Sequence, residues 1–217
     1  MVASMGAAAM PVKPFKVLLL AALFGLGLWF LVDELLYAAT RDRTGESAIR
    51  TTALIVHLVF AAPLLLLPVL QFSRRFRMRW PAWHRRAGWL YLVSAITASS
   101  LAIYLGLTFD SLGRRTPTVI FAALWLFFSN AALVCARRRA FTAHEQFVVR
   151  SYAMALAFVF VRIMGEAEDV LFAFLPSTEL RGVTREWLCF VLPLLAVEAW
   201  YGWLPALRTA RPRSGGP

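Results

Sequence analysis

Three histidines, His57, His84 and His144, carry most of the chemistry that this 217-residue chain could perform. Each lies within or at the edge of a long apolar run, in company with Asp33, Glu34, Gln71, Arg85, Asn130, Arg150, Arg162 and Glu198. At bilayer depth an ionisable side chain costs about 2.5–3.5 kcal/mol near the centre on insertion scales, so such residues are the first functional candidates. They fall into two groups. His57, Arg162, Asp33 and Glu34, followed by Glu166, Glu168 and Asp169, form the first. A histidine beside carboxylates and an arginine can relay protons, hold an anionic group or coordinate a metal. An interhelical ion pair with a hydrogen-bonded histidine that sets helix registry accounts for the same residues.

His84, His144, Arg85, Arg150, Asn130 and Glu198 form the second group. Two histidines at matched depth on different helices could be axial ligands of a b-type haem, with neighbouring arginines taking the propionates. Histidines among many arginines fit a lipid headgroup contact equally well. Glu198 needs a partner, and Arg150 is the best candidate. Sharper patterns are absent. His144-Glu145 begins an H-E-x-x-H pattern, but Val148 stands at the second histidine position, so a zincin site is not supported. There is no phosphate-binding Gly-rich loop, no dinucleotide fingerprint after a strand and no G-x-S-x-G elbow.

The elements that must position these residues are membrane helices. The sequence is 60% hydrophobic with 16% charged residues and a mean hydropathy of +0.65, whereas a soluble domain would carry about a quarter charged. Six apolar segments reach the roughly 20 residues that span a hydrocarbon core. They run from Phe15 to Tyr37, Ala48 to Phe72, Arg86 to Thr108, Pro117 to Ala136, Glu145 to Met164 and Glu186 to Leu207. The runs are continuous and do not alternate, which indicates helices and not a barrel. The expected architecture is therefore an all-α bundle over 15–207, with a tail at 1–14 and a basic tail at 208–217. A cleaved signal peptide is the lesser reading of the first segment, because Asp33 and Glu34 interrupt its end and Tyr37-Ala38-Ala39 is a poor cleavage site.

Lys and Arg total 23 against 12 acidic residues. With the N-terminus inside, the inner regions hold Lys13, Lys16, Arg74, Arg75, Arg77, Arg79, Arg85, Arg86, Arg137, Arg138, Arg139, Arg208, Arg211 and Arg213. The outer loops hold half as many: Arg41, Arg43, Arg50, Arg114, Arg115, Arg181 and Arg185. That bias favours both ends in the cytoplasm, with anionic headgroups as partners of the inner face. A nucleic-acid surface is not expected, since no soluble domain is there to carry it. The preference for Arg over Lys suggests a GC-rich bacterial genome, hence a bacterial cytoplasmic membrane. Trp80, Trp83, Trp89, Trp200 and Trp203 fit an interfacial belt. Ser94, Ala98 and Ala102, with Ala95 and Ser99, give one helix a small-residue face for close packing. Pro63 and Pro68 should kink the second span. Cys135 and Cys189 fall at opposite membrane faces, too far apart for a disulfide.

Several motifs occur in order: His57 with Gln71, W-H-R-R-A-G-W-L-Y from Trp83 to Tyr91, A-H-E-Q-F-V-V-R-S-Y-A from Ala143 to Ala153, and V-R-I from Val161 to Ile163. Over Leu54 to Ile163 the chain thereby resembles the bacterial predicted-membrane-protein family called domain of unknown function 2306. The resemblance implies that His57, Gln71, His84, Arg85, Gly88, Tyr91, His144, Arg150, Ser151 and Arg162 are the positions to test. Phe147-Val148 stands where the family tends to have Trp-Met, and the loop from Asp110 to Arg115 lacks a paired Gly. The resemblance implies no activity. Three functions stay open: a cofactor or ligand site in the bundle, transport or proton movement through His57 and Arg162, and a structural or assembly role. No nucleophile–base pair marks an enzyme.

Overall fold

A computed structural model describes residues 12–41, 47–108 and 111–209. Residues 1–11, Arg43, Asp110 and the tail from Ala210, with Arg211 and Arg213, lie outside the described residues. Among the described residues the chain is helical apart from short turns, with no strand, and six of its segments are long and apolar enough to cross a membrane.

Helix α1 (Val12–Thr40) is followed by α2 (Ala48–Leu66), the short α3 (Pro68–Gln71) and α4 (Arg74–Arg79), then α5 (Pro81–Leu107) and α6 (Leu112–Arg137). The fifth crossing is made jointly by α7 (Phe141–Ala155) and α8 (Ala157–Glu166). After α9 (Glu168–Leu171), α10 (Thr178–Glu198) passes into a π-helical turn (Ala199–Trp203) and ends in α11 (Leu204–Thr209). Most spans extend beyond the apolar runs, because a helix continues through its polar flanks once the apolar stretch has fixed it. Thus α5 begins at Pro81, whose missing N–H and fixed φ suit a first helical position, and not at Arg86.

The two prolines expected to kink the second span act differently. Pro63 is carried inside α2, and the break falls at Leu67, with Pro68 opening α3. A proline that starts a helix removes no bond that the helix needs, whereas Pro63 deletes one donor within α2. The fifth span carries one irregular turn at Leu156, where the backbone stays right-handed helical and the Leu156 and Phe160 N–H groups still donate to the carbonyls four residues before them.

Helices α2, α5, α6 and α7 pack side by side, α10 lies against α6, α7 and α8, and α1 flanks α2 and α8. The small-residue face of α5 is the contact surface: Ser94, Ala95, Ala98, Ser99 and Ala102 are all buried. Close approach without large side chains is how helices associate in lipid, where there is no water to expel between them. Near the end of α5 the fit is tightest: a Cβ on Gly106 would lie 3.0 Å from Thr118 Cγ2 of α6. Above this face the core is filled by Leu64, Leu65, Trp125, Met154, Val159 and Phe190. Helix α1 is the least covered span, and Trp29 is 73% exposed.

The up-and-down course puts the starts of α5 and α7 and the end of α6 on one face, here termed the basic face. Arg74, Arg75, Arg77, Arg79, Arg85, Arg86, Arg137, Arg138 and Arg139 are all exposed there. Three stack on tryptophans: Arg79 on Trp80, Arg86 on Trp83 and Arg137 on Trp89, at 5.4, 5.3 and 5.8 Å from the rings. On the opposite face arginines meet carboxylates. Arg114 pairs with Glu186 at 3.4 Å, Arg181 with Asp169 at 3.0 Å and Arg185 with Glu168 at 2.5 Å.

Candidate ligand cavity and polar clusters

A cavity of about 300 Å³ opens within the bundle toward the opposite face. Helix α2 supplies one wall through residues at helical spacing: Arg50, Leu54, His57, Leu58, Ala61, Leu64 and Leu65. Residues 3, 4 and 7 apart share a helix face, so one apolar stripe brings both Arg50 and His57 to the same side. The other walls are Ala102 and Leu105 of α5, Thr118, Phe121 and Trp125 of α6, and Ala155, Ala157, Phe158 and Val161 around the Leu156 turn. Leu31 of α1, with Glu186 and Cys189 of α10, completes it.

Polar groups are few and concentrated at one end. The imidazole Nδ1–H of His57 donates to the Ala98 carbonyl at 2.9 Å, since a carbonyl can only accept. That bond ties α2 to α5, fixes the tautomer and leaves Nε2 as the free nitrogen of a residue lining the cavity. Arg50 Nε donates to Thr108 Oγ1 at 3.2 Å. Trp125 lies about 16 Å along α6 from Arg114, by a rise of ~1.5 Å per residue, and so deep in the bundle. Its indole Nε1–H is buried and has no hydrogen-bond partner among the described residues. The cavity thus offers an apolar body and a polar mouth with Arg50, His57 and Glu186.

Of the residues expected to accompany His57, Arg162 pairs with Glu34 of α1 and stacks on Phe158, and it does not line the cavity. That pair fastens α1 to α8. Asp33 is exposed on α1. Arg50 and Glu186, read from sequence as a loop charge and a helix start, and Trp125, not singled out from sequence, line the cavity and are the candidates that sequence reasoning missed. A signal existed for Arg50, which precedes His57 by seven residues and so shares its helix face. None existed for Glu186.

On the basic face, His84 and His144 lie close enough to interact electrostatically, and Arg77 and Arg85 also act on His84. His144 Nδ1–H donates to the Ala132 carbonyl at 2.8 Å, leaving its Nε2 free. His84 Nδ1 is buried and has no hydrogen-bond partner among the described residues. The Gln71 amide donates to the His84 carbonyl at 3.1 Å, and its Oε1 would sit 3.7 Å from a Cβ on Gly88. Arg150 and Glu198 pair through two bonds of 2.6 and 2.9 Å, as expected from sequence. Asn130 is exposed and bonds the Leu126 carbonyl of its own helix, so it belongs to no cluster.

Between the two regions runs a buried hydroxyl network. Tyr91 Oη meets Ser151 Oγ at 3.2 Å, Ser151 meets Ser129 Oγ at 2.9 Å, and Ser129 donates to the Trp125 carbonyl at 2.8 Å. It locks α5, α6 and α7 together at a depth where an unpaired hydroxyl is costly.

The profile of the family described as "Predicted membrane protein (DUF2306)" matches residues 54–204, more than half of the chain. The match starts where the motif resemblance starts and runs past Ile163 through α10 and the π turn, leaving α1, the beginning of α2 and the residues after Leu204 outside. No curated protein and no solved structure matches.

Proposed function

The chain belongs to this family of predicted membrane proteins, whose description names no activity, and from its cavity we propose that it binds a lipid-soluble amphiphile. The ligand's apolar body would occupy the Leu- and Ala-lined part of the cavity, and its polar end would meet His57, with Arg50 and Glu186 at the mouth. The observation that carries this reading is the cavity itself: about 300 Å³, lined mainly by apolar side chains, with a few convergent polar groups. Small-molecule sites have this form. The host would be a bacterial cytoplasmic membrane, with the basic face toward the cytoplasm and anionic headgroups.

Two other readings have less support. A b-type haem on His84 and His144 would gain from the free Nε2 of His144, but the cavity lies at His57 and neither of those histidines lines it. Transport would call for a polar route from His57 to Arg150 and Glu198. Neither of those two lines the cavity either, and Leu64, Leu65 and Trp125 bound its inner part.

Photolabelling in membranes with an alkyl-diazirine fatty acid tests the proposal. Adducts should fall on peptides bearing Leu54, Ala61, Phe121 or Trp125, and Ala61→Trp, which fills the cavity, should abolish them. Adducts confined to lipid-facing residues such as Trp29 and Phe127, undiminished by Ala61→Trp, would refute it.

A further inference from the structure

On the reading that the cavity takes an amphiphile, on which this inference rests, we propose the class of its head: a neutral hydroxyl, alcohol or phenol, whose O–H donates to Nε2 of His57. The tautomer of His57 is set by its own bond. Nδ1 lies 2.9 Å from the Ala98 carbonyl, which can only accept, so Nδ1 carries the proton. A neutral imidazole has one donor nitrogen and one acceptor, which leaves Nε2 with a lone pair and no hydrogen. A doubly protonated ring would place a cation in a mainly apolar cavity, whose one lining carboxylate, Glu186, is engaged by Arg114 at 3.4 Å. Nε2 has no partner among the described residues, and unlike the indole nitrogen of Trp125 it is not sealed from a ligand.

The other polar side chains of the cavity are either engaged or held away from His57. Thr118 Oγ1 donates to the Arg114 carbonyl at 2.9 Å, and Cys189 Sγ to the Glu186 carbonyl at 3.1 Å. Arg50 is anchored at Thr108 through Nε, whereas His57 is anchored at Ala98. Those anchor points stand about 15 Å apart along α5 by a rise of ~1.5 Å per residue. A head seated at Nε2 therefore lies among Leu54, Leu58 and Ala61, which flank His57 on the same helix stripe, and not against the guanidinium. This setting selects the head. An ether, ester or ketone oxygen accepts without donating, so it would turn a lone pair toward the lone pair of Nε2. A carboxylate or phosphate would add negative charge to that mismatch. An ammonium could donate, but it would share the mouth with the Arg50 cation while Glu186 is already engaged. A hydroxyl donates, carries no charge and brings its carbon chain to the apolar walls. A site that bonds a substrate hydroxyl rejects the analogue lacking it, because the site's own polar atom is then left unpaired.

Two photoprobes of equal chain length, an alkyl-diazirine primary alcohol and its methyl ether, test the head on the full chain in nanodiscs. The alcohol should give about tenfold more adduct than the ether on peptides bearing Leu54, Ala61 or Phe121. His57→Phe, which keeps a ring but removes the acceptor, should bring the alcohol down to the level of the ether. With 15N-labelled histidine, the alcohol should also move the unprotonated ring nitrogen of His57 upfield, and the ether should leave it in place. The chain has three histidines, so His84→Gln and His144→Gln assign that signal. The NMR measurement needs no His57 variant and decides the matter if His57→Phe fails to fold. Equal labelling of the cavity by the two probes, or a His57 signal that the alcohol does not move, overturns the hydroxyl head and leaves the amphiphile reading standing. Cavity labelling by neither probe beyond the level seen with Ala61→Trp overturns both.

Discussion

Arg150 grips Glu198 with two hydrogen bonds, Nε to one carboxylate oxygen at 2.6 Å and Nη2 to the other at 2.9 Å. The pair joins α7 to the last turn of α10, directly before the helix widens into the π turn at Ala199. Arg150 also donates to the Gln146 carbonyl, so its guanidinium is held from two sides. A bidentate pair at this depth is a helix clamp, and its geometry gives it no route to the His57 cavity.

Glu198→Ala leaves Arg150, 15% exposed, without its counter-ion. Breaking a buried pair costs about 3–5 kcal/mol, and the partial exposure of Glu198 lowers the expected loss below that range, to about 2–3 kcal/mol. Unfolding in mixed micelles should register that loss, and Arg150→Met with Glu198→Met should recover most of it. Equal stability of wild type and Glu198→Ala would contradict the clamp.

Ser151→Ala removes the centre of the hydroxyl network and leaves Tyr91 and Ser129 each short of one bond. The expected cost is about 1–3 kcal/mol for buried groups so orphaned. Tyr91→Phe removes one end only, and should cost about 1 kcal/mol. Reversal of that order in an unfolding measurement would show that Ser151 is not the hub.

Gly106→Ala puts a methyl 3.0 Å from Thr118 Cγ2, tighter than packed carbons tolerate. Overpacking of this kind costs about 1–3 kcal/mol, and Thr118→Ser, which deletes that methyl, should restore most of it. Failure of the second substitution to rescue the first would place the strain elsewhere.

Arg139 has φ of 58°, the left-handed region, where it ends α6 with Ala140 N–H bonded back to the Cys135 carbonyl. Glycine is at ease there and arginine is not. Arg139→Gly should therefore raise stability by about 0.5–1 kcal/mol, read as a higher melting temperature. A lower one would mean that the Arg139 charge contributes more than its backbone costs.

The sequence made the spans legible because six apolar runs have the right length, and it made Ser94, Ala98 and Ala102 legible because small residues four apart point one way. It also showed that Glu198 needs Arg150, since a carboxylate nine residues inside a span must be paired. The cavity was not legible. It depends on Glu186 of α10 and Trp125 of α6 meeting α2, a tertiary arrangement with no sequence-local trace. Likewise the sequence grouped His57 with Arg162 by depth alone, whereas Arg162 turns to Glu34 on α1 and Arg50 shares the helix face of His57. Depth along a helix can be read from residue number; rotation toward one neighbour or another is decided by packing.

The central claim is that the cavity beside His57 holds a lipid-soluble amphiphile, and organic extraction of the purified protein followed by mass spectrometry tests it most directly. The wild type should release, in near-stoichiometric amount, an amphiphilic compound distinct from bulk membrane lipid. His57→Ala should retain less of it and Ala61→Trp none. An extract from wild type identical to that from Ala61→Trp would contradict the claim.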